Sequence, residues 1–233
     1  MVRGAADPGA TAVSQILFGE DFHVLDISGG WAWGYCGHDH YVGYVPAAQL
    51  DLPAEPSHIV TALSAPVFSR ADIKAPSTLQ LTMGARVVGE REGDFVACSI
   101  GYIHHRHLRS LGERDKDPVG IAERLLGVPY LWGGRTSDGL DCSGLIQLTL
   151  GLCGIAAPRD SDQQLALGVE VAGVLRRGDL VFFPGHVGLM ADEERLIHAN
   201  AFWMAVAVEP LADVVARLQP KHEQPILGCR RMA

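Results

Sequence analysis

The chain has 233 residues, of which 48% are apolar and 20% charged, as in an ordinary soluble globular protein. Its formal net charge of −8 at pH 7 argues against the broad basic surface that holds nucleic acids or anionic membranes. No apolar run approaches the ~20 residues that a membrane-spanning helix needs. We therefore expect neither a nucleic acid nor a membrane as a partner.

The N-terminal segment MVRGAADPGATAVSQ has one arginine but lacks the apolar stretch of a secretory signal. The cysteines are odd in number, widely spaced, and without a Cys-x-x-Cys pair: Cys36, Cys98, Cys142, Cys153 and Cys229. Dispersed thiols of this kind indicate a reducing compartment and not a disulfide framework. We expect a cytoplasmic protein.

The first half of the chain contains an internal repeat. Residues 43–45 (Gly-Tyr-Val) and Leu50 match residues 101–103 (Gly-Tyr-Ile) and Leu108. Each copy consists of short β-type runs separated by glycine, aspartate and serine turns. A unit of about 50 residues with several short strands is typical of a small β-barrel.

We therefore predict two small all-β domains, at residues 1–53 and 57–111, and a third domain at residues 118–233. The third domain changes pattern. Helices are predicted from Pro118 to Gly127, from Cys142 to about Cys153 and from Ser161 to Gly168, and strands at DLVFF, HVGLM, RLIHANA and MAVAVE. Helices that precede an antiparallel sheet indicate an α+β domain.

Cys142 stands at the predicted start of the buried helix, directly after a glycine-rich loop. The unpaired backbone N–H groups and the dipole at a helix start favour negative charge, so we expect the pKa of this thiol to be lowered. The thiol would then be a nucleophile. A small buried cysteine with no chemical role is an equally good interpretation of the position alone.

Two histidines strengthen the nucleophile interpretation. His186 and His198 lie in consecutive predicted strands, joined by the polar segment ADEER. If the hairpin is centred on Asp192, the two histidines face each other across the strands with Cβ atoms roughly 5 Å apart. One imidazole can then act on the thiol while the other orients it. The alternative is two unrelated histidines of a sheet, and a one-residue slip would place them on opposite faces.

Four segments together resemble a known family: PYLWGGRTSDGLDCSGL, PRDSDQQ, GDLVFFPGHVGLM and LIHAN. They are similar to the NlpC family of papain-like cell-wall cysteine peptidases, over residues 118–233. Two bacterial SH3-like domains ahead of such a domain resemble the subgroup that trims murein peptides. That subgroup cleaves the bond between γ-linked D-glutamate and a diamino acid, in fragments with a free N-terminal L-alanine.

The resemblance implies a papain-like α+β fold and a set of catalytic residues. Cys142 corresponds to the nucleophile, His186 to the base and His198 to the orienting residue. Tyr130 corresponds to the tyrosine beside the oxyanion site, and Asp141 to an acidic residue that receives the substrate amine.

The resemblance also implies further substrate-binding residues. Ser143 and Ser161 correspond to polar residues of the pocket. The first SH3-like domain of the subgroup contacts the catalytic domain and contributes an acidic residue and a tyrosine, for which Glu20 and Tyr41 are the best matches. The segment CGHDH before Tyr41 departs from the family pattern.

Several of these residues have simpler interpretations. Asp141 is equally well placed to cap the helix that starts at Cys142, and Ser161 is better explained as a helix cap than as a pocket residue. Tyr130 is compatible with an ordinary core position. The histidines at 38, 40, 104, 105 and 107 do not form a convincing metal site, since zinc needs three or four convergent ligands. We expect no metal and no organic cofactor.

The sequence thus predicts a cysteine peptidase that hydrolyses the γ-D-glutamyl–diamino acid bond of small murein peptides during cell-wall recycling. One alternative is a non-catalytic protein that binds peptidoglycan through its SH3-like domains. Another is a thiol amidase or transacylase on the same fold, which a carboxylate at Asp141 disfavours because an apolar acyl group gains nothing from it.

Overall fold

A computed structural model describes residues 1–232. They form two compact units: residues 1–114 with residues 136–138, and residues 115–135 with those from 139 onward. The first unit is all-β, whereas the second combines helices with a six-stranded sheet. No helix in the described part of the chain is long and apolar enough to cross a membrane.

The first repeat folds as a five-stranded antiparallel sheet. Its strands are β1 (Val2–Arg3), β2 (Ala12–Ser14), β3 (Phe22–Ser28), β4 (Trp31–Cys36) and β5 (Val42–Pro46), in the spatial order β2-β1-β5-β4-β3. The core consists of small and branched side chains, Val2, Ala32, Cys36 and Val45. Along β4 and β5 every second residue is buried, which is the pattern of a half-buried strand.

The second repeat contains eight strands: β6 (His58–Val60), β7 (Ser64–Phe68), β8 (Ser77–Thr82), β9 (Arg86–Val87), β10 (Gly89–Glu92), β11 (Phe95–Cys98), β12 (Gly101–His104) and β13 (Leu108–Ser110). They form sheets of order β10-β11-β12-β7-β8 and β13-β6-β9. The two repeats lie in one unit, where the Arg86 N–H donates to the Phe18 carbonyl at 2.7 Å.

The repeated sequence adopts a repeated local structure. β5 is followed by a 3-10 turn at Ala47–Gln49, and β12 by one at His105–His107. Leu50 then packs on the first core, and Leu108 is buried in the second. The histidines at 105 and 107 therefore lie in the turn that follows a strand, as their alignment with residues 47–49 predicts.

The described part of the second unit contains four helices, a six-stranded sheet and, apart from Thr136, a short two-stranded sheet. Its elements are α1 (Pro118–Arg124), β14 (Arg135–Thr136), β15 (Gly139–Leu140), α2 (Cys142–Leu152), α3 (Ser161–Gln164), β16 (Val169–Glu170), β17 (Leu180–Phe183), β18 (His186–Met190), β19 (Arg195–Asn200), β20 (Ala205–Pro210), α4 (Leu211–Leu218) and β21 (Gly228–Arg231). The sheet order is β16-β21-β17-β18-β19-β20. α2 packs on β18 and β19, and α4 on β20.

One prediction about helices is wrong. The predicted helix from Ser161 to Gly168 stops at Gln164, and Ser161 is its first residue and not its N-cap, which is Asp160. The Gln164 amide instead donates to the carbonyls of Ser143 and Pro158. The segment after β20, for which no helix was predicted, contains α4. Its apolar residues at 211, 214, 215 and 218 have helical spacing.

Candidate active site

The nucleophile candidate begins a helix that is buried on nearly every side. The Asp141 carboxylate caps α2, because its Oδ1 accepts the Gly144 N–H at 2.7 Å. Gly144 allows the glycine-rich loop to come close: a Cβ atom there would overlap the Gly134 carbonyl. Capping and close approach together explain why Asp-Cys-Ser-Gly follows a glycine-rich loop.

Asp141 has a charged partner inside the protein. Arg159 forms a two-pronged ion pair with it, through Nη1 to Oδ1 at 3.0 Å and through Nη2 to Oδ2. Asp141 is 5% exposed and Arg159 2%. Oδ2 also accepts the Gly133 N–H at 2.9 Å. These contacts are those of a helix cap held by an ion pair. The role of Asp141 in amine binding stays a prediction.

Ser143 is part of the same buried network. Its hydroxyl accepts from Arg159 Nη1 at 2.8 Å and lies 3.4 Å from Asp141 Oδ1. Gln164 on α3 then fixes the backbone of Ser143 by donating to its carbonyl at 3.1 Å. These contacts hold the first turn of α2 rigidly in place, which is what a positioned nucleophile needs.

The expected lowering of the Cys142 pKa is wrong. Burial raises the pKa of this thiol to about 11, and the nearby Asp141 carboxylate adds to the rise. The backbone N–H groups of Val187 and Ser143 and the Arg159 guanidinium act in the opposite direction, but more weakly. The helix start does offer N–H groups to the sulfur, but desolvation of an anion outweighs them.

The base candidate begins the neighbouring strand. β17 and β18 form a hairpin in which Phe183 pairs with His186, and Gly185 supplies the positive φ of 66° that the tight turn requires. Because Val187 directs its N–H at the Cys142 sulfur, His186 is the residue next to the one that touches the thiol. The nucleophile and base candidates thus begin two elements, α2 and β18, that pack on each other.

His186 and His198 lie on one face but not directly opposite. Leu189 pairs with Ile197 and Met190 with Leu196, so the hairpin is centred one residue beyond Asp192. The predicted register is wrong, yet the shift moves each pairing partner by two residues and therefore keeps the same face. The two histidines become diagonal neighbours, with ring centroids 5.0 Å apart.

The two imidazoles share a short hydrogen bond. His186 Nε2 lies 2.7 Å from His198 Nδ1. Burial, together with a smaller contribution from the neighbouring His198, lowers the pKa of His186 to about 3. Burial also lowers the pKa of His198, despite the opposing effect of Glu209. Both rings are therefore neutral near pH 7, and the resting site pairs a neutral thiol with a neutral imidazole.

Sequence reasoning missed the next residues of the chain of contacts. Glu209, in β20, places Oε1 2.8 Å from His198 Nε2. Arg217, in α4, forms an ion pair with the same carboxylate. Glu209 alternates with Val206 and Val208 along the strand, and such a position in the sequence is typical of a solvent-facing residue. The signal that could have found the pair is the helical spacing of α4, which places Arg217 beside β20.

Tyr130 lies near the nucleophile. Its backbone N–H donates to the Met204 carbonyl at 2.9 Å, which fixes the tyrosine against the loop between β19 and β20. Burial raises the pKa of its hydroxyl to about 12, with further contributions from Cys142 and Asp141. The hydroxyl thus stays protonated and can donate a hydrogen bond.

Three other predicted site residues have these surroundings. Ser161 is the first residue of α3, which packs beside α2 and β18. In the first repeat, Glu20 Oε2 accepts the Leu17 N–H at 2.9 Å, and Tyr41 packs on the core of its own domain. The substrate-binding roles of Ser161, Glu20 and Tyr41 stay predictions.

One group of side chains in the described part of the chain could hold a metal ion. It consists of Cys36, His38 and Asp39, whose ligand atoms lie within 4.8 Å of one another. Asp39 accepts the Tyr41 N–H at 3.0 Å and lies 3.0 Å from His38 Nε2, so a local turn accounts for the cluster. The prediction that these histidines hold no metal stays a prediction.

Comparison with known proteins identifies two matching families and similar solved structures. Residues 127–216 match the NlpC/P60 family, and residues 2–50 match the bacterial dipeptidyl-peptidase Sh3 domain. The crystal structure of an NlpC/P60 family protein from Bacillus cereus superposes with a TM-score of 0.80 at 25% identity, and covers 94% of this chain and 81% of that one.

Two relatives have names that state an activity. The γ-D-glutamyl-L-lysine dipeptidyl-peptidase of Bacillus cereus is 26% identical over 85% of this chain and 70% of its own length. The γ-DL-glutamyl hydrolase of Bacillus subtilis is 42% identical, over 37% of this chain and 23% of its own length. Of the two predicted SH3-like domains, the family match covers the first, and the second stays a prediction. The matches therefore identify an NlpC/P60 domain with an α+β, papain-like fold and, ahead of it, an SH3-like all-β domain.

Proposed function

We propose that this protein is a cysteine peptidase that hydrolyses the γ-D-glutamyl–diamino acid bond of murein peptides with a free N-terminal L-alanine. The observation that carries the proposal is the arrangement of Cys142 and two linked histidines. The thiol lies at the start of α2 against the N–H of Val187, and the adjacent His186 is bonded to His198. This is the nucleophile–base–orienter pattern of covalent acyl transfer.

The chemistry begins with a proton transfer. His186 takes the thiol proton as the Cys142 sulfur attacks the γ-glutamyl carbonyl carbon, which forms a C–S bond and an oxyanion. The Cys142 backbone N–H and the protonated Tyr130 hydroxyl meet that oxyanion. The C–N bond then breaks, and His186 donates its proton to the departing amine of the diamino acid.

Water completes the cycle. His186, again neutral, removes a proton from a water molecule that attacks the thioester carbon. The C–S bond breaks, the sulfur recovers its proton, and an L-Ala–D-Glu dipeptide with a free γ-carboxylate leaves. No step needs a metal or an organic cofactor.

The names of the relatives support the acyl side of this substrate. Both names specify a γ-glutamyl bond: one is a γ-D-glutamyl-L-lysine dipeptidyl-peptidase and the other a γ-DL-glutamyl hydrolase. A free α-ammonium on the L-alanine would be read by the acidic residues predicted for amine binding, of which Asp141 already pairs with Arg159. The contributions of Glu20 and Tyr41 to that recognition stay predictions.

The test compares three peptides and one variant. The protein is incubated with L-Ala-γ-D-Glu-diaminopimelate, with L-Ala-γ-D-Glu-L-Lys and with the N-acetylated form of the first, and products are followed by mass spectrometry. We expect both free peptides to be cut after D-glutamate and the acetylated one at least about 100-fold more slowly, because its amine pocket stays unpaired. Cys142→Ala is the matched control and should be inactive.

Each alternative predicts a different result. A non-catalytic peptidoglycan-binding protein would bind murein fragments and cut none of the peptides. A thiol amidase or transacylase would act on lipid or protein amides and would not distinguish the free from the acetylated peptide. Cleavage by Cys142→Ala would remove the thiol from the mechanism.

A further inference from the structure

The hydrogen-bonded chain behind the nucleophile does not end at the second histidine. His198 Nε2 lies 2.8 Å from Glu209 Oε1 in a buried setting. A carboxylate accepts hydrogen bonds and cannot donate them. The proton on this side of His198 must therefore be on Nε2, because a bare nitrogen facing the carboxylate would leave two acceptors in contact without a proton.

This single assignment fixes both rings. A neutral imidazole carries one proton, so with Nε2 of His198 protonated its Nδ1 is an acceptor. His186 Nε2, 2.7 Å away, must then be the donor of the bond between the rings. That leaves Nδ1 of His186 without a proton, and this is the nitrogen that can take the proton of the Cys142 thiol.

Three groups hold the Glu209 carboxylate in place as an anion. Arg217 binds both oxygens, with Nη1 3.1 Å from Oε1, and its guanidinium lies 3.9 Å from the centre of the Phe202 ring. The Trp203 side chain donates a further hydrogen bond. Burial pushes the pKa of this carboxyl upward, but the bonds from Arg217, His198 and Trp203 outweigh it.

We propose that Glu209 is a positioning residue that selects the tautomer of His198, and through it that of His186, so that the base faces the thiol unprotonated. The proposal rests on the cysteine peptidase function given above. Glu209 touches neither the thiol nor, by this proposal, the substrate. It acts through two imidazoles, as a carboxylate behind a single catalytic histidine does.

A purely structural role makes different predictions. The ion pair between Glu209 and Arg217 also joins α4 to β20, so its loss could weaken packing without affecting protons. In that case Glu209→Ala would lower stability and leave the tautomers of both rings as they are. Tautomers are visible in long-range ¹H–¹⁵N spectra of histidine-labelled protein, because protonated and bare ring nitrogens differ widely in chemical shift.

The experiment measures tautomers and kinetics on the full chain for wild type, Glu209→Ala and Glu209→Gln. Glu170→Gln is the matched control, since Glu170 is also a strand glutamate near an arginine but is exposed and 3.8 Å from Arg230. We expect Nε2–H on both rings in the wild type. In Glu209→Ala we expect His198 to become a mixture of tautomers and kcat to fall about 10- to 100-fold with KM little changed.

Glu209→Gln should keep the wild-type tautomers and recover most of kcat, because its amide oxygen can still accept from His198. The control should match the wild type. Proton on Nδ1 of His198 in the wild type would overturn the proposal without any variant, even if the alanine variant does not fold. Unchanged tautomers in Glu209→Ala, or a kcat within about 2-fold of the wild type, would also overturn it. The spectra need no turnover, so a protein that cuts no peptide would refute the proposed function and still decide this assignment.

Discussion

Replacing Arg159 with methionine would leave the Asp141 carboxylate buried without its charged partner. Both residues are almost fully inaccessible, so water cannot take over the role of the guanidinium. Removing one member of a buried ion pair typically costs about 3–5 kcal/mol in the free energy of unfolding. Asp141 would keep bonds from Gly133, Gly144 and Ser143, so we expect a value near the lower end, about 3 kcal/mol.

A second variant separates charge from helix capping. Asp141→Asn retains an oxygen for the Gly144 N–H and is as good a cap as aspartate, but it removes the negative charge opposite the buried Arg159 guanidinium. We expect this variant to lose a similar ~3 kcal/mol. The double variant Asp141→Asn/Arg159→Met removes both charges, and it should lose clearly less than the sum of the two single losses.

Hydrogen exchange of the α2 backbone amides as a function of urea measures the stability of this unit directly, which matters in a chain with two units. Arg177→Met is the matched control, since Arg177 is 42% exposed where it pairs with Asp117 and Glu123, and should change stability by at most about 1 kcal/mol. A loss below about 1 kcal/mol for Arg159→Met, or strict additivity in the double variant, would refute the reasoning.

Three further predictions concern catalysis. Because burial lowers the pKa of His186 to about 3, the acid limb of the pH profile of kcat/KM should lie well below pH 6.5, and a limb at or above pH 6.5 would contradict this. The histidine of the unfolded chain takes up its proton at a higher pH than that of the folded chain, so stability is also lost as the pH falls from 6.5 toward 3. Tyr130→Phe removes a hydroxyl that stays protonated, and kcat should fall about 10²- to 10³-fold with KM little changed, whereas an unchanged kcat would exclude Tyr130 from the oxyanion site. Gly144→Ala places a Cβ atom against the Gly134 carbonyl, so it should lower the free energy of unfolding by about 1–3 kcal/mol. It should also slow the alkylation of Cys142 by a substrate-like peptide that carries a maleimide group. A variant as stable as the wild type would indicate that the loop can move away from the added methyl group.

The sequence was sufficient to find the residues whose position follows from local pattern. Asp141 and the glycine-rich loop indicate a helix start, which predicts the position of Cys142. Gly185 indicates the turn before His186. The face shared by His186 and His198 survives a wrong hairpin centre, because strand alternation has a period of two. Residue spacing therefore predicts faces more reliably than it predicts partners.

Other features depend on contacts between segments distant in the chain. The raised pKa of Cys142 results from the burial of the thiol. A rule based only on the position of a residue at a helix start does not take burial into account. Arg159 follows a proline in a loop, and nothing near it in sequence indicates that it neutralises a carboxylate 18 positions earlier. Glu209 gains its role only when β20 lies beside β19 and pairs Ala207 with His198.

The choice of imidazole at position 198 limits how this protein can vary. A neutral imidazole can carry its proton on either ring nitrogen, so a hydrogen-bond partner must select the tautomer. An asparagine or glutamine at this position has a fixed donor, the NH2 group, and a fixed acceptor, the oxygen. It would therefore need no partner to select a tautomer. Homologous chains that keep histidine at this position should therefore also keep an acidic residue opposite it, and chains with an amide should be free to lose both that acid and its arginine.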